Sequence, residues 1–343
     1  MKHKILVTGS TGYIGSHTII SLLENNYDVV SVDNFSKSEP FILDCIKKIR
    51  PDKFNHYTVD LTDSEALKNI FFVEKNITGI IHFAAFKAVG ESVEHPLKYY
   101  HNNLVGLLNL LECCKNHQIK HFIFSSSCTI YGNPVSMPVV EDSPIAPPMS
   151  PYGATKQMGE QIIKDFNLAY GGHHILLRYF NPVGAHPSNF LGECSRDLPQ
   201  NLMPVITETA IGKRSKMYVF GNDYSTPDGT CIRDYIHVCD IADAHTLSMN
   251  YCLQLPQNMS LLKVFNLGSG QGYSVLEIIK KFEKITNLKL QYEISQRRSG
   301  DVPAIFANNE LAIQELGWQP QYNIEAMIET AWNWEVARKK MTN

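Results

Sequence analysis

The stretch Lys4-Ile5-Leu6-Val7-Thr8-Gly9-Ser10-Thr11-Gly12-Tyr13-Ile14-Gly15 opens the chain almost at its first residue. Residues 4–8 read as a short buried strand, and a helical pattern follows through Ile14, Thr18, Ile19, Leu22 and Leu23. Between them Gly9, Gly12 and Gly15 permit a tight turn that brings backbone N–H groups to the start of a helix, where a pyrophosphate binds. The spacing is GxxGxxG, so the strand and helix around it carry the inference. A second strand, residues 28–33, ends in Asp33-Asn34. Asp33 stands 18 residues after Gly15, where a carboxylate accepts from a ribose hydroxyl. It would repel a 2′-phosphate, and no arginine stands beside it, which favours NAD over NADP.

Outward from this stretch, short apolar strands at 4–8, 28–33, 54–59, 79–84, 120–126 and 173–180 alternate with helical patterns near 13–26, 39–50, 63–76, 91–116 and 151–171. Such alternation predicts an α/β fold, a doubly wound parallel sheet with helices on both faces. After Phe180 the rhythm breaks. Residues 181–236 are rich in Pro, Gly, Asn and Asp, with one helical stretch near 199–212. Regular patterns return as a helix near 239–254, a strand at 264–267, a helix near 274–287, a strand near 289–293 and helices near 309–316 and 323–341. The organisation expected is a dinucleotide-binding domain over 1–180, joined by part of 235–268, and a smaller α/β substrate-binding lobe over 181–343.

Tyr152 and Lys156 lie four residues apart in the helix that Ser150-Pro151 opens, so they share one face. Ser127 falls 25 residues earlier, at the carboxyl end of the strand before that helix. An ammonium beside a phenol favours the phenolate, and a serine hydroxyl can share its proton. The expectation is that Lys156 lowers the Tyr152 pKa toward neutrality. Taken singly, Ser127 reads equally as a serine bonding its own backbone and Lys156 as a solvated lysine. Together with the glycine turn they read as a catalytic set.

Composition bounds the alternatives. With 343 residues and 44% hydrophobic content, the chain has room for a full core. A formal charge of −3 without a basic stripe gives no support for nucleic-acid binding. The eight cysteines include no C-x-x-C and read as reduced thiols, and the early first strand leaves no room for a signal peptide. With no long apolar run, the expectation is a soluble cytoplasmic protein that uses no membrane. None of the 13 histidines has the spacing of a zinc site; His82 and His237 read as packed, and no metal is expected.

With these residues placed, the chain resembles the extended short-chain dehydrogenase/reductases, and His82 to Ser92, Ser125 to Gly132, Arg178 to Pro187 and Asp228 to Val238 resemble the UDP-glucose 4-epimerase group among them. The resemblance implies a Rossmann cofactor domain and interconversion of UDP-galactose and UDP-glucose through a 4-keto sugar, with NAD retained throughout. Tyr152 would take the proton of the 4-hydroxyl, Ser127 would ease the transfer, and Lys156 would tune the tyrosine and hold the ribose. It implies that Tyr13 and Ile14 sit at the pyrophosphate, Asp33 and Asn34 at the adenosine ribose, and Asp60 and Leu61 at the adenine. Phe83, Ala84, Lys87, Asn102, Tyr152, Lys156 and Phe180 would line the rest of the cofactor. For the UDP-sugar it implies Lys87, Ser127, Tyr152, Asn181, Asn201, Leu202, Tyr218, Val219, Phe220, Arg233, Tyr235, Arg298, Asp301 and Ile305. A planar guanidinium suits a diphosphate, which agrees for the two arginines.

It implies also a homodimer through the helices near 91–116 and 151–171. Ile305 stands where group members limited to glucose and galactose carry tyrosine, which leaves N-acetylated UDP-sugars open as alternative substrates. A related 4,6-dehydratase would need an acidic pair where Cys128-Thr129 stand. A regulator that only senses NAD would need none of Ser127, Tyr152 and Lys156.

Overall fold

The computed structural model describes residues 2–52, 54–298 and 300–341. Six strands follow one another along the chain: β1 (Lys4–Thr8), β2 (Asp28–Asp33), β3 (Asn55–Thr58), β4 (Ile77–His82), β5 (His121–Ser127) and β6 (His173–Tyr179). Leu261–Leu267 adds a seventh strand beside β6, and every pairing is parallel. Across the sheet the order is Leu261–Leu267, β6, β5, β4, β1, β2, β3. The chain runs from β1 to β3 in one direction, then restarts at β4 in the other. That reversal opens a crevice beyond the carboxyl ends of β1 and β4, the place where doubly wound sheets bind ligands.

Alternation along β1 builds both layers. Ile5 and Val7 join the core formed with Ile19 and Leu22 of Tyr13–Glu24 and Met249 of Val238–Gln254. Leu6 faces the other way, with Leu107 and Leu110 of Gly106–Asn116 and Ile163 of Pro151–Tyr170. Each such aliphatic burial stabilises by about 1.5–3 kcal/mol.

The single helix expected over 91–116 is interrupted. Val89–Glu94 ends at His95, whose φ of −129° and ψ of 59° follow from the proline after it. A new helix starts at Pro96–Tyr100, widens into a π turn at His101–Val105 and continues as Gly106–Asn116. Turns of this kind recur at functional sites, and this one carries Asn102 and Asn103.

Beyond β6 lies a smaller layer that the sequence pattern did not resolve. Ile232–His237 pairs with Asn181–Val183, Gly272–Ser274 and Ala304–Ile305. Met217–Phe220 pairs with Tyr292–Ser295, so the strand expected near 289–293 forms slightly later. These strands pack on Leu202–Ala210, Val275–Thr286 and Ile324–Met341 through Val219, Ile279, Phe282 and Ile328.

Candidate active site

A cleft of about 750 Å³ runs from the glycine turn, past the carboxyl ends of β4 and β5, to the smaller layer. At its first end Gly9 has φ +64°, and a Cβ there would stand 2.7 Å from the Ala84 nitrogen. A Cβ on Gly15 would stand 2.2 Å from the Gly9 carbonyl oxygen, so the helix approaches the turn only because both residues lack side chains. No side chain caps the helix at Gly12, and no acidic residue occupies its first turn. Its free N–H groups therefore favour an anion in the cleft. Asp33 accepts from the Thr11 N–H at 3.0 Å and the Phe35 N–H at 2.8 Å, which fixes its carboxylate at the turn. Asn34 donates to Asp60 at 2.9 Å. Asp33, Asn34, Asp60 and Leu61 all line this end, as do Tyr13 and Ile14.

Midway, Ser127 ends β5 and Tyr152 opens Pro151–Tyr170. The Ser150 hydroxyl, which accepts from the Gly153 N–H at 3.1 Å, starts that helix. Gly159 lets the helix lie against β5, since a Cβ there would meet Phe124 at 2.7 Å. The Ser127 hydroxyl accepts from the Thr129 N–H at 3.2 Å, as a serine bonding its own backbone does, and it also acts on the Tyr152 phenol, whose pKa it lowers. Lys156 is buried, not solvated, and donates to the Ser125 carbonyl at 2.5 Å. Burial brings its pKa down to about 8.

The electrostatics correct the expectation for the phenol. Burial pushes the Tyr152 pKa up to about 12, against a smaller downward effect of the Ser127 hydroxyl, so the chain alone keeps the phenol protonated. The reason is geometric: the ammonium hydrogen-bonds a carbonyl and lies 5.9 Å from the tyrosine ring centroid.

Behind this set, Asn103 donates to the Phe86 carbonyl at 3.1 Å and to Thr155 at 3.0 Å, and accepts from the Phe86 N–H at 2.8 Å. It thereby ties the loop after β4 to the helix of Tyr152. Below, Arg178 holds Glu160 in a bidentate pair, 2.7 and 2.9 Å, with both side chains almost fully buried. Phe83, Ala84, Lys87, Asn102 and Phe180 complete the middle of the cleft.

At the far end the smaller layer presents Asn181, Arg233, Tyr235 and Ile305 from three adjacent strands. Asp301 accepts from Arg233 at 3.3 Å and from Arg298 at 3.0 Å, so one carboxylate orients two guanidinium groups. Asn201 and Leu202 line the cleft where Leu202–Ala210 begins. Tyr218, Val219 and Phe220 lie outside the lining: Val219 is in the small core, and Phe220 lies near Arg298, 5.7 Å from ring centroid to guanidinium.

Sequence reasoning missed the strap at 193–200, which lines the cleft between its two ends. Its charges pair with the other side, Glu193 with Lys87 at 3.0 Å, Arg196 with Glu39 at 3.1 Å and Asp197 with Lys37 at 2.5 Å. No periodic pattern marks such a segment; the signal available was its alternating charge. Ser125 and Tyr179, hydrogen-bonded to each other in the cleft wall, were also missed.

The family model for GDP-mannose 4,6 dehydratase matches residues 6–331. A UDP-glucose 4-epimerase of Yersinia enterocolitica is 48% identical over 334 residues, 96% of this chain and 97% of that protein. Another, of Bacillus subtilis, is 46% identical over 332 residues, 96% of each chain. Among solved structures, UDP-glucose 4-epimerase from Bifidobacterium longum in complex with NAD+ and UDP superposes with a TM-score of 0.94 at 43% identity. It covers 98% of this chain and 99% of that one.

Proposed function

The chain belongs to the UDP-glucose 4-epimerase family, within the wider group that the dehydratase model describes, and from that premise we propose that it interconverts UDP-galactose and UDP-glucose with bound NAD. One arrangement carries this reading: Ser127, Tyr152 and Lys156 line the cleft between an anion-binding glycine turn and a pair of arginines.

The residues fit the dinucleotide. The glycine seat tolerates no Cβ and the helix N-terminus is uncapped. Gly9, Gly12, Tyr13, Ile14 and Gly15 would hold its pyrophosphate and Asp33 its ribose, with Lys156 at the second ribose. When bound, NAD supplies the acceptor and later the donor of the hydride at sugar carbon 4. Tyr152 takes the proton of the 4-hydroxyl in one half of the reaction and returns it in the other. Ser127, whose hydroxyl already acts on the Tyr152 phenol, hands that proton between phenol and sugar. Arg233 and Arg298 hold the diphosphate while the flat 4-keto sugar turns over between its two faces. No net oxidation occurs, so the dinucleotide needs no exchange.

A 4,6-elimination is disfavoured, because the residues after Ser127 are Cys128 and Thr129, with no carboxylate to remove water. On this reading the first 180 residues, with Val238–Gln254 and Leu261–Leu267, form the cofactor domain, and the rest binds the UDP-sugar. The partner is a second copy. Leu97, Leu108 and Met158 are exposed on the two helices expected to associate, 81%, 50% and 44% accessible. The eight free cysteines suit the reducing cytoplasm.

Incubating the purified chain with UDP-galactose should yield UDP-glucose with no added NAD. Tightly held NAD without turnover would instead favour a sensor. Sedimentation should give twice the chain mass, and a monomer that persists at micromolar concentration would refute the pairing.

A further inference from the structure

We propose that Asp234, which does not line the cleft, is the positioning residue that assembles the UDP-sugar wall, an inference that rests on the epimerase reading above. Asp234 stands between Arg233 and Tyr235 on Ile232–His237, and successive side chains on a strand face opposite sides. Arg233 and Tyr235 line the cleft, whereas the Asp234 carboxylate is fully buried behind it.

There it collects four donors from two other segments. Oδ1 accepts from the Ser269 N–H and hydroxyl, both at 2.7 Å. Oδ2 accepts from the Gly270 and Ala307 N–H groups, both at 3.1 Å. The Ala307 bond comes two residues after Ile305, whose backbone is registered against Arg233. The same strand edge receives Arg233 bonds to the Ile232 and Val302 carbonyls, at 2.9 and 2.7 Å. One carboxylate thus fixes the spacing between the diphosphate-facing guanidinium and the sugar-facing Ile305.

The seat is shaped for it. A Cβ on Gly268 would stand 2.3 Å from Asp234 Oδ2 and 2.7 Å from the Ala307 Cβ. The Ala307 N–H is buried and the three donors of Ser269 and Gly270 are part-buried. Leaving them without the acceptor is costly, most of all at Ala307, and the wall holds its register through the carboxylate. The wall also reaches the catalytic half, because the Val139 N–H donates to the Phe306 carbonyl at 3.0 Å and Asn266 donates to the Val139 carbonyl at 3.2 Å.

The test measures KM and kcat for UDP-galactose, calorimetric affinity for UDP and bound NAD in the full chain and in Asp234→Asn. Gly268→Ala serves as a second variant that displaces the carboxylate without changing its charge. The expected result is a KM raised about tenfold or more, UDP affinity lowered to match, kcat within about twofold and NAD content unchanged, as loss of uniform binding requires. Variants that lose kcat at constant KM, or that keep wild-type KM and UDP affinity, overturn the proposal. A wild-type chain inactive on UDP-galactose would instead refute the reading beneath it. If Asp234→Asn fails to fold, Gly268→Ala alone decides.

Discussion

The Lys156 ammonium lies 5.9 Å from the centroid of the Tyr152 ring and donates to the Ser125 carbonyl. It is therefore near enough to attract a phenolate but does not hold the phenol oxygen in the chain alone. With burial raising the Tyr152 pKa to about 12, a further cation must act on the phenol for it to work as a base near neutrality. The oxidised nicotinamide ring carries such a charge, and its reduced form does not. The tyrosine of the NAD-loaded protein should then ionise at lower pH than that of the NADH-loaded protein, read by phenolate absorbance. Tyr152→Phe should lose about 10²–10⁴ in kcat and keep its dinucleotide. Equal titrations in the two redox states would sink this account.

The strap should govern how long the dinucleotide stays. Asp197→Asn with Arg196→Gln removes the pairs to Lys37 and Glu39, which are partly exposed and worth about 0.2–1 kcal/mol each. Release of bound NAD should quicken about three- to tenfold at low salt. In the wild type, half-molar salt should approach the same rate by screening. Trapping of released NAD by a second dehydrogenase measures both.

Glu160→Gln should destabilise the protein by about 3–5 kcal/mol, because it leaves the Arg178 guanidinium buried without its anion. Joint replacement of Glu160 and Arg178 by Leu and Met should cost less than Glu160→Gln alone. Urea unfolding of the three proteins checks the order.

How far all this was legible follows from what each residue depends on. Gly9, Gly15 and Asp33 could be placed because their positions are local, set by one turn between β1 and its helix. Ser127 and Tyr152 followed once the strand–helix rhythm was found. Asp234 could not be read, since its donors come from Ser269, Gly270 and Ala307, far along the chain. The protonation of Tyr152 was misjudged for the same reason: spacing reveals a neighbouring lysine but not which acceptor that lysine chooses.

Stability should fall as the solution is acidified from pH 7 toward pH 4. Burial holds His121, His174 and His245 down to about 4, and His17, His82 and His237 to about 3, against about 6.5 when unfolded. Below pH 6.5 the unfolded chain therefore takes up protons that the folded chain refuses. Each histidine then removes about 1.4 kcal/mol per pH unit until its folded pKa is reached. Asp234 and Asp240, raised by burial to about 6, act in the opposite sense. Glu24, Glu141 and Asp243 are raised by burial as well. Glu74, Glu91 and Asp228, however, are held down and lose stability on acidification with the six imidazoles, so the net slope is positive. Urea midpoints flat between pH 7 and 5 would contradict it.

Ile305 should set the room left for the sugar. Its side chain is buried in one cluster with Cys128, Val139 and Phe180, and its backbone is registered against Arg233, so it cannot swing aside as a loop residue would. A β-branched side chain is stiff at χ1, which makes the pocket width a fixed quantity. Ile305→Ala should raise turnover of UDP-N-acetylgalactosamine relative to UDP-galactose by about tenfold, the scale of discrimination that one apolar wall supplies. Ile305→Tyr should lower that ratio, and Ile305→Val should change it little. Paired kcat/KM values for the two substrates in the four proteins decide the matter. A ratio indifferent to all three substitutions would mean that another part of the wall, nearer Asn201 and Leu202, limits the sugar.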